Sequence, residues 1–263
     1  MKKLTVLFML LSLLLLTACS LQPAETIPPE TTAHTTAPTT QPTTEPVETT
    51  PPTTLPEHSS LYIPDLSVED VIVYFNEVCL DAEIVNSGDP SFLQKWDVPI
   101  YYLLDGTLTE EDRQVLESFA AWLNTIEGFP GIYETTDIGQ ANLKIYFCSE
   151  DEMLSILGSN FAGCDGGVTF WYMNNAIYDA TICCRTDLYQ YLRNSVIMEE
   201  IYNGLGPVQD TDLRPDSLIF SGFSEPQSLT PVDELILRLL YHPQMQVGIN
   251  AAECEAVIRQ LYY

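Results

Sequence analysis

From residue 58 onward, apolar positions recur every three or four residues in some stretches and every second residue in others, with turn residues between them. Ser67-Val68-Glu69-Asp70 has the form of a capping box, and Val71, Phe75, Val78 and Ala82 continue it as one apolar stripe, predicting a first helix. Pro99 to Leu104 is a continuous apolar run that stops at Asp105-Gly106, a strand and its turn. Thr109 and Asp112 cap a long amphipathic helix with Val115, Phe119, Trp122, Leu123 and Ile126 inward and Gly128 as its stop. Two strands follow, over 131–135 and 141–148, and then a short helix from Ser149 to Gly158.

Val168–Met173 and Ala176–Cys184 flank Asn174-Asn175, a pair tolerant of positive φ, and predict a hairpin. A helix over 187–203 is ended by Gly204-Leu205-Gly206-Pro207. After a loop, Pro231 opens a helix through Leu235, Leu239 and Leu240 that Pro243 ends, and Ala251–Leu261 is the last. Strands interspersed with helices in this order imply an α+β domain, a single mixed sheet with helices packed on it.

Ahead of residue 58 the pattern changes twice. Lys2 and Lys3, an apolar run from Leu4 to Leu16, and Leu16-Thr17-Ala18-Cys19 form a signal peptide over 1–18 with a lipobox, in which Cys19 is the lipidated residue. The run is shorter than the roughly 18 apolar residues a spanning helix needs. Residues 19–57 are then expected to be a disordered linker. Thirteen threonines and nine prolines between Pro23 and Glu57 leave little to bury, and proline keeps such a chain extended. The expected architecture is signal peptide 1–18, lipidated Cys19 with a Thr/Pro-rich tether to 57, and a globular domain over 58–263. Its location is the outer face of a cell membrane, held there through N-terminal lipid.

The charge narrows the partners. The chain carries a formal net charge of −27, and the domain alone is about 24 negative once Lys2, Lys3 and five linker glutamates are set aside. Nucleic acid needs clustered positive charge, so it is excluded as a partner, whereas a cationic peptide is compatible. Six cysteines remain besides Cys19; none shows zinc-knuckle spacing, and a bridge between Cys164 and the Cys183-Cys184 pair across the hairpin is one of several possible pairings.

Chemistry concentrates on the helix after the hairpin. Zinc peptidase helices of the H-E-x-x-H kind place two imidazoles at i and i+4 on one metal, with the glutamate as base. Here Glu199 and Asn203 stand at the imidazole positions, Glu200 at the base, and Gly206 where the helix breaks. Glu200 is therefore the candidate catalytic base. Glu199, Glu200 and Asn203 are the candidate binding residues, and Glu199 with Asn203, joined by Asp210 or Asp212, the candidate metal ligands. The domain's histidines are only His58 and His242, so zinc lacks its nitrogen donors, and no metal or cofactor is expected. Glu199 and Asn203 are expected instead to hydrogen-bond neighbouring loops. Ser195 has no histidine or lysine nearby to activate it. Tyr189, Tyr191 and Tyr202 are expected half-buried, and Trp171-Tyr172 could stack on sugars.

At these positions the chain resembles the bacterial family of unknown function DUF2927, whose members carry a Glu-Glu-x-x-Gln-x-Leu-Gly helix. The matching residues are Glu199-Glu200-Ile201-Tyr202-Asn203-Gly204-Leu205-Gly206, then Gln209-Asp210-Thr211-Asp212 and Pro215-Asp216-Ser217-Leu218-Ile219-Phe220. Upstream, Trp96-Asp97-Val98-Pro99 and Ala141-Asn142-Leu143 match family strand entries. Downstream, Thr230 with Asp233, and Leu239 to Pro243, match its closing helix. The likeness covers about 92–250, with Asn203 in place of the family's glutamine. It implies a zincin-like, metalloprotease-like scaffold whose metal helix is degenerate. The function expected is non-catalytic binding of a peptide or protein at the cell envelope. The alternatives are a metal-dependent peptidase with Glu200 as base, and a wall-glycan-binding module using the aromatic hairpin.

Overall fold

A computed structural model describes residues 59–80 and 92–263. The signal peptide, Cys19, the tether and Ala82 lie outside the described residues. Among the described residues there are six α-helices and one six-stranded sheet: α1 Val68–Leu80, β1 Lys95–Trp96, β2 Ile100–Gly106, α2 Glu110–Leu123, β3 Ile132–Glu134, β4 Leu143–Cys148, α3 Glu150–Leu157, β5 Gly166–Met173, β6 Ala176–Arg185, α4 Gln190–Gly204, α5 Pro231–Tyr241 and α6 Ala251–Leu261. The α+β class and the single mixed sheet are as the sequence predicts.

Four of the helices begin where side chains satisfy the first backbone amides. Thr109 with Asp112, Ser149 with Glu152, Thr230 with Asp233 and Asn250 with Glu253 all form reciprocal capping boxes. Two helix limits differ from expectation. α2 stops at Leu123 rather than running to Gly128, because the Asn124 side chain accepts from the Ile132 amide (2.8 Å) and donates to the Ile132 carbonyl (2.9 Å), turning the chain into β3. α4 starts at Gln190 rather than Asp187, because Arg185 donates to both carboxylate oxygens of Asp187 (3.0 and 2.8 Å) and holds it outside the helix.

Across the sheet the order is β5-β6-β4-β2-β3, and every pair is parallel except β5 with β6. β1, which the sequence did not announce, pairs with Ala176 and Ile177 of β6. Those two residues also pair with β5, so β1 must occupy the opposite side of β6, in line with β4. Neighbouring strand residues point to opposite faces. Gly166 accordingly faces Val196 and Glu200 of α4, while Gly167 faces Leu157 and Phe161 around α3. The main core, which includes Phe75, Ile100, Ile145, Ile182, Ile197 and Leu239, lies mainly on the α4 side of the sheet. A smaller cluster of Cys148, Met153 and Cys183 sits on the α3 side.

The end of α4 is clamped from three elements. The Trp96 indole donates to the Gly204 carbonyl (2.8 Å), and the Tyr241 hydroxyl to the Leu205 carbonyl (2.7 Å). Gly206 follows at φ 133°, where a Cβ would stand 2.7 Å from the Gln94 carbonyl oxygen, so only glycine allows this close approach. Among the described residues no helix is long and apolar enough to cross a membrane.

Candidate functional site

α4 is buried almost all round, including five polar or charged residues: Arg193, Asn194, Ser195, Glu200 and the half-buried Glu199. Buried polar groups need partners. In the first half of the helix they have them. Arg193 donates to Asp112 (2.8 Å) and to the Thr186 carbonyl (3.0 Å), and Asn194 donates to Glu111 (2.8 Å). Further along, two side-chain oxygens are left unmatched. Ser195 is 1 % exposed and its Oγ has no hydrogen-bond partner; the same is true of the buried Oδ1 of Asn203. Ser195, Glu199 and Asn203 are spaced four apart and share one face of the helix. The loop-holding hydrogen bond expected of Asn203 through its carbonyl oxygen is therefore not made.

Next to that stripe, Val196, Glu200 and Gly204 face the start of β5. Glu200 is 8 % exposed and lies against Gly166, where a Cβ would stand 2.8 Å from its Oε1. Burial raises its carboxyl well above the usual carboxylate range, and the charges of Glu199 and Asp210 add to the rise. Glu199 is pushed up to about 8, first by burial, then by Asp210 and Asp165. Asp165 is tied to Arg185 at 3.8 Å, and Asp212 accepts a hydrogen bond from Ser221 instead of joining the group. No Lys or Arg among the described residues forms an ion pair with Glu199 or Glu200. The structure thus brings Glu199, Glu200 and Asp210 within range of one another, with Asn203 one helix turn beyond Glu199, and leaves Asp212 outside the group.

The thiols Cys164, Cys183 and Cys184 stand near Glu200, each raised by burial first. All six cysteines of the domain have free thiols, and Cys164 precedes β5 rather than lying on it. For a metal, the donor chemistry does not fit. Among the described residues the one histidine, His242, stands at the end of α5, and no group of three or more His, Cys, Asp or Glu is arranged to hold an ion. Glu199 and Asn203 offer one carboxylate and one neutral amide.

β5 is an edge strand. Among the described residues it pairs only with β6, so its outer row of amides and carbonyls is unmatched. Trp171, Tyr172 and Met173 near its end are exposed, as is Tyr178 across the hairpin. The tyrosines expected to be half-buried divide differently: Tyr189 and Tyr191 are exposed, whereas Tyr202 is fully buried and its hydroxyl donates to the Asp233 carbonyl (3.1 Å). The roles of Gly166 and Asp165 were not read from the sequence. The Gly166-Gly167 doublet at a strand start was the available signal, because paired glycines there mark close approach from other elements.

No curated protein matches the chain. Residues 69–260 match the family model described as "Protein of unknown function (DUF2927)", which covers every helix and strand that builds the α4–β5 site except the first residue of α1 and the last of α6. The chain belongs to the DUF2927 family.

Proposed function

We propose that this is a lipid-anchored extracytoplasmic protein whose domain is a non-catalytic, zincin-like scaffold that binds a peptide or protein at the cell envelope. The observation that carries the reading is the outer edge of β5, unmatched among the described residues, which starts beside the buried carboxyl of Glu200 and ends in exposed Trp171, Tyr172 and Met173. An extended segment added to such an edge satisfies its backbone groups, and side chains on alternating sides meet different surfaces. Aromatic residues supply contact area at small entropic cost. The anchor rests on Leu16-Thr17-Ala18-Cys19 and the tether on the Thr/Pro composition that follows. Two acyl chains give stable attachment where one is marginal.

Purified full-length protein, titrated with immobilised extended peptides, should bind in a manner weakened about tenfold by Trp171→Ala, with no peptide cleavage and no stoichiometric metal after dialysis. Retention on purified wall polymer, lost with Trp171→Ala, would instead favour glycan binding. One observation speaks for the hydrolase alternative: burial makes Glu200 far more basic than an ordinary glutamate. Metal that copurifies and is lost with Glu199→Ala, together with cleavage lost with Glu200→Gln, would replace the binding reading by that one.

A further inference from the structure

We propose that the face of α4 formed by Ser195, Glu199, Glu200 and Asn203 is a subsite for a primary ammonium group, a lysine side chain or a free amino terminus, of the segment that pairs with β5. The inference rests on the peptide-binding reading and names the chemistry that reading leaves open.

The argument begins from what is unmatched. The Oδ1 of Asn203 can only accept a hydrogen bond, and it is buried with no donor. The Oγ of Ser195, one turn before Glu199, is buried and unpaired as well. Between and beside them lie two carboxyl groups that no Lys or Arg among the described residues neutralises. The two basic residues nearest in sequence are engaged elsewhere: Arg193 with Asp112 at 2.8 Å, and Arg185 with Asp187 at 2.8 Å. The face therefore has buried acceptors without partners, beside two carboxyl groups that burial keeps protonated until a cation pairs with them.

A primary ammonium supplies three N–H donors and one positive charge in a compact group. Charge-assisted hydrogen bonds of this kind are the ones that offset burial of both partners. A metal ion is the poorer match, since no three-ligand group is preformed among the described residues. The ammonium nitrogen belongs at the Ser195–Glu199 turn, since Ser195 and Asn203 stand about 12 Å apart along the helix and one nitrogen does not reach both. Position agrees as well. Glu200 abuts Gly166, the first residue of β5, so a strand laid on the β5 edge delivers a side chain or terminus to this face. The overall charge of −27 favours approach of a cationic segment.

Two probes test the proposal on the purified full-length chain. The first is methylammonium chloride, with tetramethylammonium chloride, which has the same charge and no N–H donor, as control. Methylammonium should raise the melting temperature in the millimolar range, the control should not, and Glu200→Gln should abolish the difference. Ser195→Ala, which removes only a hydroxyl, should reduce the difference and covers the case in which the glutamate variant does not fold. The second probe is a set of labelled Val/Thr decapeptides with one lysine, the same set with N-acetyl-lysine, and each with a free or acetylated amino terminus. Lysine in one register should bind at least tenfold more tightly than acetyl-lysine. A gain that follows the free terminus instead assigns the α-ammonium as the source. Equal binding of lysine and acetyl-lysine peptides, still weakened by Trp171→Ala, overturns the ammonium subsite and leaves peptide binding standing. Methylammonium stabilisation with no peptide bound upholds the subsite and overturns the peptide reading. Identical responses to both ammonium salts overturn the subsite.

Discussion

Gly166 and Glu200 show how far one side chain can depend on the absence of another. Glu200 fills the space where a Cβ at position 166 would stand, with its Oε1 and Cγ at 2.8 and 2.9 Å and Val196 Cγ1 closer still. Gly166→Ala is expected to destabilise the fold by roughly 1–3 kcal/mol through overpacking, measured by urea denaturation. Glu199 carries a pH signature. Burial raises it from 4.5 to about 8, so between those values the folded chain holds a proton that the unfolded chain has released. Stability from this group is full below about pH 4.5 and is lost as pH rises through 8. Denaturation midpoints should fall over that window. Glu199→Gln should remove on the order of 2 kcal/mol of the fall, and an unchanged pH slope in the variant would contradict the assignment. The glutamates were legible as a motif remnant. Their burial was not, because burial depends on what β5 and the loop bearing Asp210 place above the helix.

At the scale of elements, caps and turns were the most readable features. Four capping boxes stand where polar residues precede apolar stripes, and Asn174 and Asn175 take positive φ in the hairpin turn, at 54° and 66°. Asp233 does more than cap α5. Besides accepting from the Thr230 amide (2.9 Å), it accepts from the Ser217 hydroxyl (2.7 Å) and the Leu218 amide (3.1 Å), which fastens the long loop after α4 to the next helix. Asp233→Ala should therefore cost about 3 kcal/mol or more in chemical denaturation, above an ordinary cap, with Asp233→Asn recovering part of it. β1 was missed for a physical reason. Two residues carry no periodicity, and the strand exists only because Ala176 and Ile177, some eighty positions away, offer it an edge. The end of α2 was misplaced because its stop is the side-chain clamp of Asn124 on Ile132, a contact that composition does not advertise.

For the whole molecule, the proposed anchor and the domain make separable predictions. Cys19→Ser, with the signal peptide otherwise intact, should move the protein from the membrane fraction to the medium or periplasm, as followed by cell fractionation. The melting of the domain should be unchanged, since its described core begins beyond residue 59. If the variant stays in the membrane fraction, the lipid anchor is wrong. The sheet order is where most long-range information resides. Parallel neighbours such as β2 with β4 and β4 with β6 are joined by crossovers, and no local pattern states which strand ends at the edge.

Local chemistry in the chain was sufficient for the class of fold, most helix starts, the hairpin, the acidic balance and the family likeness, because capping, periodicity and turn geometry act over a few residues. Tertiary structure alone decided that β5 is the open edge, that Glu200 is packed against a glycine, and that Ser195 and Asn203 lack partners. Each of these follows from which distant segments share a surface, and burial free energy, unlike propensity, is a property of that shared surface.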